Sequence, residues 1–454
     1  MPAGLNHVPL LELRTRLRQS FWFIPLLMLG ATVGLAALTL WIDWNFDLAD
    51  LKATSALAWI QLGGAEGARA MLTSVATAIM TVVGVIFSVT IAVLTLTTSQ
   101  FGPRLLRAFI ADRANQAVLG AFLATFFYCL LISLTIGDGD EDPLPRLSIL
   151  VGAGMAAASV LVFVFFVHHV ARSIQADEVV DVAACELDEV IDAVYGPPGE
   201  APSEAQARLP GWFDDEARAV RGRVGGYVTS VDLDRLIHIA RERDLVLEVD
   251  RRPGSFVAVG DALLRAGPGA RVDERTADRL RRCLYLGEAR TTEQDLEFAL
   301  QQLVEIALRA MSTGINDPFT AVRCVDRLEA ALRRLCGLVP PPAARHDERG
   351  ALRVVMPWIE LPRAIVTVFE PLRIVAPGAP QLTRRLLEAL RSLAREAPGA
   401  PALAALRHQL EGLRAASASF DDTTGEDVRR LADEVAAALE GAAARLEAAA
   451  PARA

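Results

Sequence analysis

Thr73, Thr77, Thr81, Gly84, Ser88 and Thr95 follow one another at spacings of three, four or seven residues. On a helix, residues so spaced share one face. They lie in the stretch from Met71 to Leu96, which holds no charged side chain. A hydroxyl stripe in an apolar helix can do two things. Small residues let two backbones approach, so the stripe can pack against another helix. Its oxygens can also replace water around a permeating species, so it can line a pore. The residues alone leave both readings open.

A second constellation is Gly314, Asn316, Asp317 and Pro318. Asp317 has the chemistry of a general base, and Arg309 or Arg323 that of its partner. The same residues explain a joint between two helices: Gly314 ends one, Asp317 caps the next, and Pro318 takes its first position. Capping accounts for these residue types without further assumption. His168 and His169 are adjacent, so on a helix their side chains diverge by ~100° and one ion cannot easily hold both. Five cysteines (Cys129, Cys185, Cys283, Cys324 and Cys336) include no CxxC pair. That pattern fits free thiols in a reducing compartment, with neither a disulfide framework nor a zinc site. No catalytic, cofactor-binding or metal-ligating residue is assigned.

Composition narrows the classes further. The net charge of −9 over 454 residues argues against a nucleic-acid binder. Lys52 is the only lysine, so P-loop, Schiff-base and lipoyl or biotin chemistry lack their residue downstream. The apolar share of 52% is high for a chain with 22% charged residues, and it concentrates before Val170.

Four apolar runs must position the stripe: Phe21–Ile42, Met71–Leu96, Ala117–Ile136 and Leu147–Val170. Each is long enough to cross a bilayer as a helix. Trp22, Trp41 and Trp44 sit at the ends of the first, where interfacial indoles are expected. That run is too long for a signal peptide and lacks a cleavage site, so it reads as an uncleaved anchor. Gly102-Pro103 ends the second helix, and Leu105 to Ile110 alternate with arginines as in an amphipathic surface piece. Arginines cluster in the N-terminal arm, in the loop holding Arg104, Arg107 and Arg113, and after the fourth run. The loop Asp138 to Asp142 is acidic and lacks calcium-loop order. This asymmetry places both termini in the cytoplasm. No charge lies at mid-depth and no broken helix or inverted repeat is visible, which disfavours a secondary transporter. Gly120/Ala124, Gly152/Ala156 and Gly154/Ala158 are small-residue pairs suited to helix packing.

The fold class expected is a membrane α-helical protein of four transmembrane helices with a mixed α/β cytoplasmic region containing a small β-barrel-like module. Residues 1–20 form an N-terminal arm, 21–170 the transmembrane domain and 171–195 a helical stalk. Residues 211–270 form the β-rich module, 271–376 an α/β domain and 377–454 a helical tail. Strands are expected at Tyr227–Val231, Leu245–Val249, Phe256–Val259, Leu263-Leu264, Leu352–Met356 and Ala364–Phe369 with Arg373–Val375. Helices are expected after Asp232, over Glu274–Leu286, over Thr292–Met311 with Thr292 as N-cap, and over Phe319–Cys336.

Several of these stretches carry a family likeness. Ile306 to Phe319, Leu119 to Leu130, Asp295-Leu296-Glu297-Phe298-Ala299 and the Phe256-Val257 segment resemble a bacterial family of predicted membrane proteins, domain of unknown function 2254. The resemblance covers the chain to about Val375. It implies a multi-pass membrane protein with a cytoplasmic C-terminal half, and it brings no activity, substrate or catalytic residue. The function expected is a homo-oligomeric, channel-like permeability pathway gated by the cytoplasmic half. The alternative is a membrane-anchored sensor or scaffold that binds a cytoplasmic protein, without transport or catalysis. The partners expected are the lipid bilayer, further copies of the chain and such a protein.

Overall fold

The computed structural model describes residues 22–46, 64–101, 112–137, 144–173, 176–195, 208–417, 420 and 422–449. The N-terminal arm, the Leu105–Ile110 piece and the acidic loop 138–142 lie outside these residues. The chain divides into two compact units, Met1–Glu178 and Val179–Ala454.

The first unit contains four helices: α1 (Phe23–Asn45), α2 (Gly64–Phe101), α3 (Arg113–Thr135) and α4 (Arg146–Ser173). All four are long and apolar enough to cross a membrane. Half of the apolar window of α3 is buried, against 22% for each of the others, so α3 is the inner helix. It packs on α1, α2 and α4 through Phe122, Tyr128, Cys129 and Ile132. Gly120 makes the α1 contact possible, because a Cβ there would lie 2.6 Å from the Met28 sulfur and 3.2 Å from the Pro25 Cα. Gly154 has open space around it, so among the described residues the expected Gly154/Ala158 pair packs against no other helix.

The second unit opens with α5 (Ala176–Val194), whose first three residues still belong to the first. After residue 207 come β1 (Arg218–Arg221), β2 (Gly226–Val231), α6 (Leu233–Arg243), β3 (Val246–Glu248), β4 (Phe256–Val257) and β5 (Ala262–Gly267). Then follow α7 (Glu274–Arg281), β6 (Leu284–Gly287), α8 (Leu296–Ala310), α9 (Pro318–Gly337), β7 (Ala344–His346) and β8 (Leu352–Val355). Four helices complete the chain: α10 (Leu361–Val375), α11 (Pro380–Glu396), α12 (Ala400–Ser417) and α13 (Asp422–Ala449).

The strands form two open sheets, β1-β5-β3-β8-β7 and β4-β2-β6, and neither closes. The expected barrel-like module is therefore corrected. Alternating residues and glycine turns locate strands but do not name their partners. Here β3 pairs in parallel with β8, Leu247 against Val354, and both residues are fully buried. The stretch 211–270 thus shares its larger sheet with residues far downstream.

Three local expectations also change. Ala364–Phe369 is helical, in α10: Ala364, Ile365, Val368, Phe369 and Leu372 are buried at helical spacing, and Pro362 stands in the first turn. The β-branched residues favoured a strand, and burial of a helical face overrode that preference. The helix from Glu274 ends at Arg281 and yields to β6. Asp295, not Thr292, is the N-cap of α8, its carboxylate accepting from the Phe298 amide.

Candidate functional site

The six stripe residues lie on the outer face of α2. Thr73, Thr77, Thr81, Gly84, Ser88 and Thr95 are all exposed, whereas Leu72, Ala76, Ile79, Val83, Ile86 and Val93 bury the inner face. Among the described residues, the stripe therefore packs against nothing in its own chain. Four of the five hydroxyls donate to the carbonyl four residues earlier: Thr77 to Thr73, Thr81 to Thr77, Ser88 to Gly84 and Thr95 to Ile91, at 2.9–3.0 Å. The donor is thus satisfied and the oxygen keeps acceptor capacity facing outward. At the Gly64 end, Glu66, Arg69, Ala70, Thr73, Ser74, Thr77 and Ala78 line an open groove of about 740 Å³. Arg69 crosses this end to donate to the Ile136 carbonyl.

Elsewhere in the first unit, a polar tie joins three helices. Asp43, at the end of α1, accepts from the Leu147 and Ser148 amides at 2.9 Å and from the Ser148 hydroxyl at 2.7 Å. It thereby caps the first turn of α4 from another helix, where the unpaired amides favour an anion. The Tyr128 hydroxyl donates to the Ser148 carbonyl at 3.2 Å and lies 2.9 Å from Thr39 Oγ1. At the other end, Asp112 caps α3 through the Ala114 amide and meets His169 Nε2 at 2.6 Å. His169 stacks on Phe165, with ring centroids 5.7 Å apart.

In the second unit, Asp317 is a cap. Its carboxylate accepts from the Phe319 and Thr320 amides at 3.1 Å and from the Thr320 hydroxyl at 2.5 Å. Asn316 takes a left-handed backbone (φ 49°), and Gly314 is exposed beside it. Arg309 pairs with Glu305, and Arg323 with Asp181, so the Asp317–arginine constellation is not assembled. Burial pushes the Cys283 thiol up to about 11 and Cys324 to about 12, which keeps both protonated at neutral pH. Among the described residues, no group of three His, Cys, Asp or Glu side chains could hold a metal ion.

The Asp295–Ala299 segment, which carries family likeness, gathers residues from the turn before β4 and from α10. Asp295 holds Arg290 at 2.8 Å, and Gly254 (φ 91°) sits so near that a Cβ would lie 2.1 Å from the Asp295 Oδ2. Glu297, two residues on, takes Arg252 and Arg363 at 2.8 Å each and the Thr367 hydroxyl at 3.3 Å. Sequence reading missed this cluster and Asp43 alike. The available signal was an acid at the edge of an apolar run, and two acids in the first turn of an amphipathic helix.

A family model described as "Predicted membrane protein (DUF2254)" matches residues 18–392. Uncharacterized proteins of Mycobacterium bovis and Mycobacterium tuberculosis are each 28% identical over 418 residues, covering 89% of this chain and 78% of theirs. No solved structure matches the chain.

Proposed function

Because the chain belongs to the DUF2254 family of predicted membrane proteins, we propose that it forms a homo-oligomeric, channel-like permeability pathway in a bacterial inner membrane. The observation that carries this reading is the outward face of α2. It bears the hydroxyl stripe beside Met80, Val85, Phe87 and Ile91, whereas the outward faces of α1 and α4 bear Leu26, Leu27, Leu38, Leu161, Val164 and Phe165. Bulky apolar residues suit lipid, and the acceptor oxygens of the stripe suit an axis shared with other copies. Among the described residues the stripe faces away from its own four-helix unit, so several copies contribute one α2 each. Both termini then face the cytoplasm, as the arginine-rich loops favour, and the second unit gates the inner mouth.

The experiment is the mass of the full-length protein in a lipid nanodisc, followed by liposome flux. A ring of several copies is expected, with flux reduced by Thr81→Leu and unchanged by Val164→Leu on the apolar face. A monomer or dimer, or flux indifferent to Thr81→Leu, overturns the proposal.

A second reading, a membrane-anchored sensor, draws support from the second unit. There Tyr195, Leu296, Leu335, Ile359, Pro362 and Ala402 are among the residues lining a cavity of about 210 Å³. Purification of the full-length protein without a stoichiometric partner or bound small molecule counts against it.

A further inference from the structure

The turn between α8 and α9 exposes two large apolar side chains that its own fold does not need. Ile315 is 42% exposed and Phe319 76%. The turn is held firmly: the Asp317 amide donates to the Ala310 carbonyl at 2.7 Å, the Asn316 amide to Ser312 at 2.9 Å, and the Asp317 carboxylate caps α9. A capped helix start is satisfied without a phenylalanine, so the exposure of Phe319 is not a by-product of capping.

The position of this turn in the fold identifies what it meets. Asp181 on α5 binds Arg323 at 2.9 Å and Arg327 at 2.7 Å, and further along Arg334 binds Asp188 and Asp192. Residue numbers rise together on both helices, so α5 and α9 run parallel and their N-terminal ends lie side by side. Phe319 is one turn before Arg323, at that end. Asp181 follows Ser173, the last residue of the apolar helix α4, by eight residues. Five of those rise within α5, so chain geometry allows at most ~20 Å between Ser173 and Asp181.

We infer that the Ser312–Pro318 turn and Phe319 dock on a lipid surface, with Ile315 and Phe319 entering the headgroup region of the bilayer that the four apolar helices span. The inference rests on the membrane spans and is independent of whether α2 lines a pore. Two side chains bury far less than the ~1,200 Å² that a specific protein interface requires. A covalently tethered apolar tip needs no such area, because the tether supplies a high effective concentration at the surface. Arg309 and Arg323 already have acidic partners, so insertion is driven by the apolar pair and not by headgroup charge.

The test uses the full-length protein in nanodiscs, with Cys185→Ser removing an exposed thiol. An NBD fluorophore at Phe319→Cys is compared with one at Val259→Cys, a site 71% exposed in another part of the unit. Lipids carrying a shallow doxyl quencher should remove more than half of the emission at position 319 and leave position 259 unchanged. Ile315→Cys serves if Phe319→Cys fails to fold. Unquenched emission at position 319, or equal quenching at both sites, overturns the inference. Blue-shifted but unquenched emission overturns it as well, since protein and not lipid then covers the tip.

Discussion

At the scale of single residues, the second unit is held by arginines that bridge carboxylates from distant parts of the chain. Arg353 holds Asp347 at 2.8 Å and Asp244 at 2.9 Å, and these contacts keep both carboxyls below the usual carboxylate range. A depressed carboxyl stabilises the fold above its unfolded value and loses that contribution as pH falls through its folded value. Wild type should therefore unfold at higher temperature than Arg353→Met at neutral pH, and the gap should shrink below about pH 4. Thermal melts of the two proteins across pH check this. Glu297 is buried, while its partners Arg252 and Arg363 are one-third to more than one-half exposed. Glu297→Ala leaves arginines that can rehydrate, so its cost should be about 1–2 kcal/mol, below the usual loss for a fully buried pair. Asp317→Ala should cost about 1 kcal/mol as a lost cap; denaturant unfolding measures both. The Asp317 cap and the hydroxyl stripe were legible because their logic is local, three or four residues long. Glu297 with Arg363, and Asp43 with Ser148, were not, since 66 and 105 residues separate the partners.

Among elements, apolar helices announced themselves and short strands did not. Length and absence of charge suffice to mark α1 to α4. In α10 the run Ala364–Phe369 is β-branched enough to resemble a strand, and only its partners decide that it is a helix. The two sheets were illegible as sheets, because β4 is two residues long and β8 lies 85 residues after β5. Turn chemistry was easier to read: Gly254 (φ 91°) and Gly260 (φ 91°) flank β4 as glycine turns require. Gly254→Ala combines a left-handed backbone with a clash against Asp295. It should destabilise the second unit by about 1–3 kcal/mol or more, read as an earlier denaturant midpoint. Gly260→Ala has the same backbone but open space around its Cβ, so its loss should be the smaller one.

For the whole molecule, the two units answer to different solvents. The first turns many large apolar side chains outward and holds Asp43, Ser148 and Tyr128 together in a polar tie. The second does the reverse, with Leu236, Leu247, Leu264 and Val354 inside and its ion pairs outside. Asp43→Ala tests the tie: it leaves the first amides of α4 unpaired and should lower the melting temperature of the protein in detergent. The pairing of β3 with β8 also sets a timetable for synthesis. On a ribosome, β1, β3 and β5 emerge long before residue 352, and β3 waits with an unpaired edge of the kind that recruits other strands. Chains released early, ending near residue 340, should therefore aggregate or be degraded even though all four apolar helices are complete. In this protein, insertion into the membrane can precede folding of the larger sheet, but that sheet cannot be assembled hairpin by hairpin as it leaves the exit tunnel.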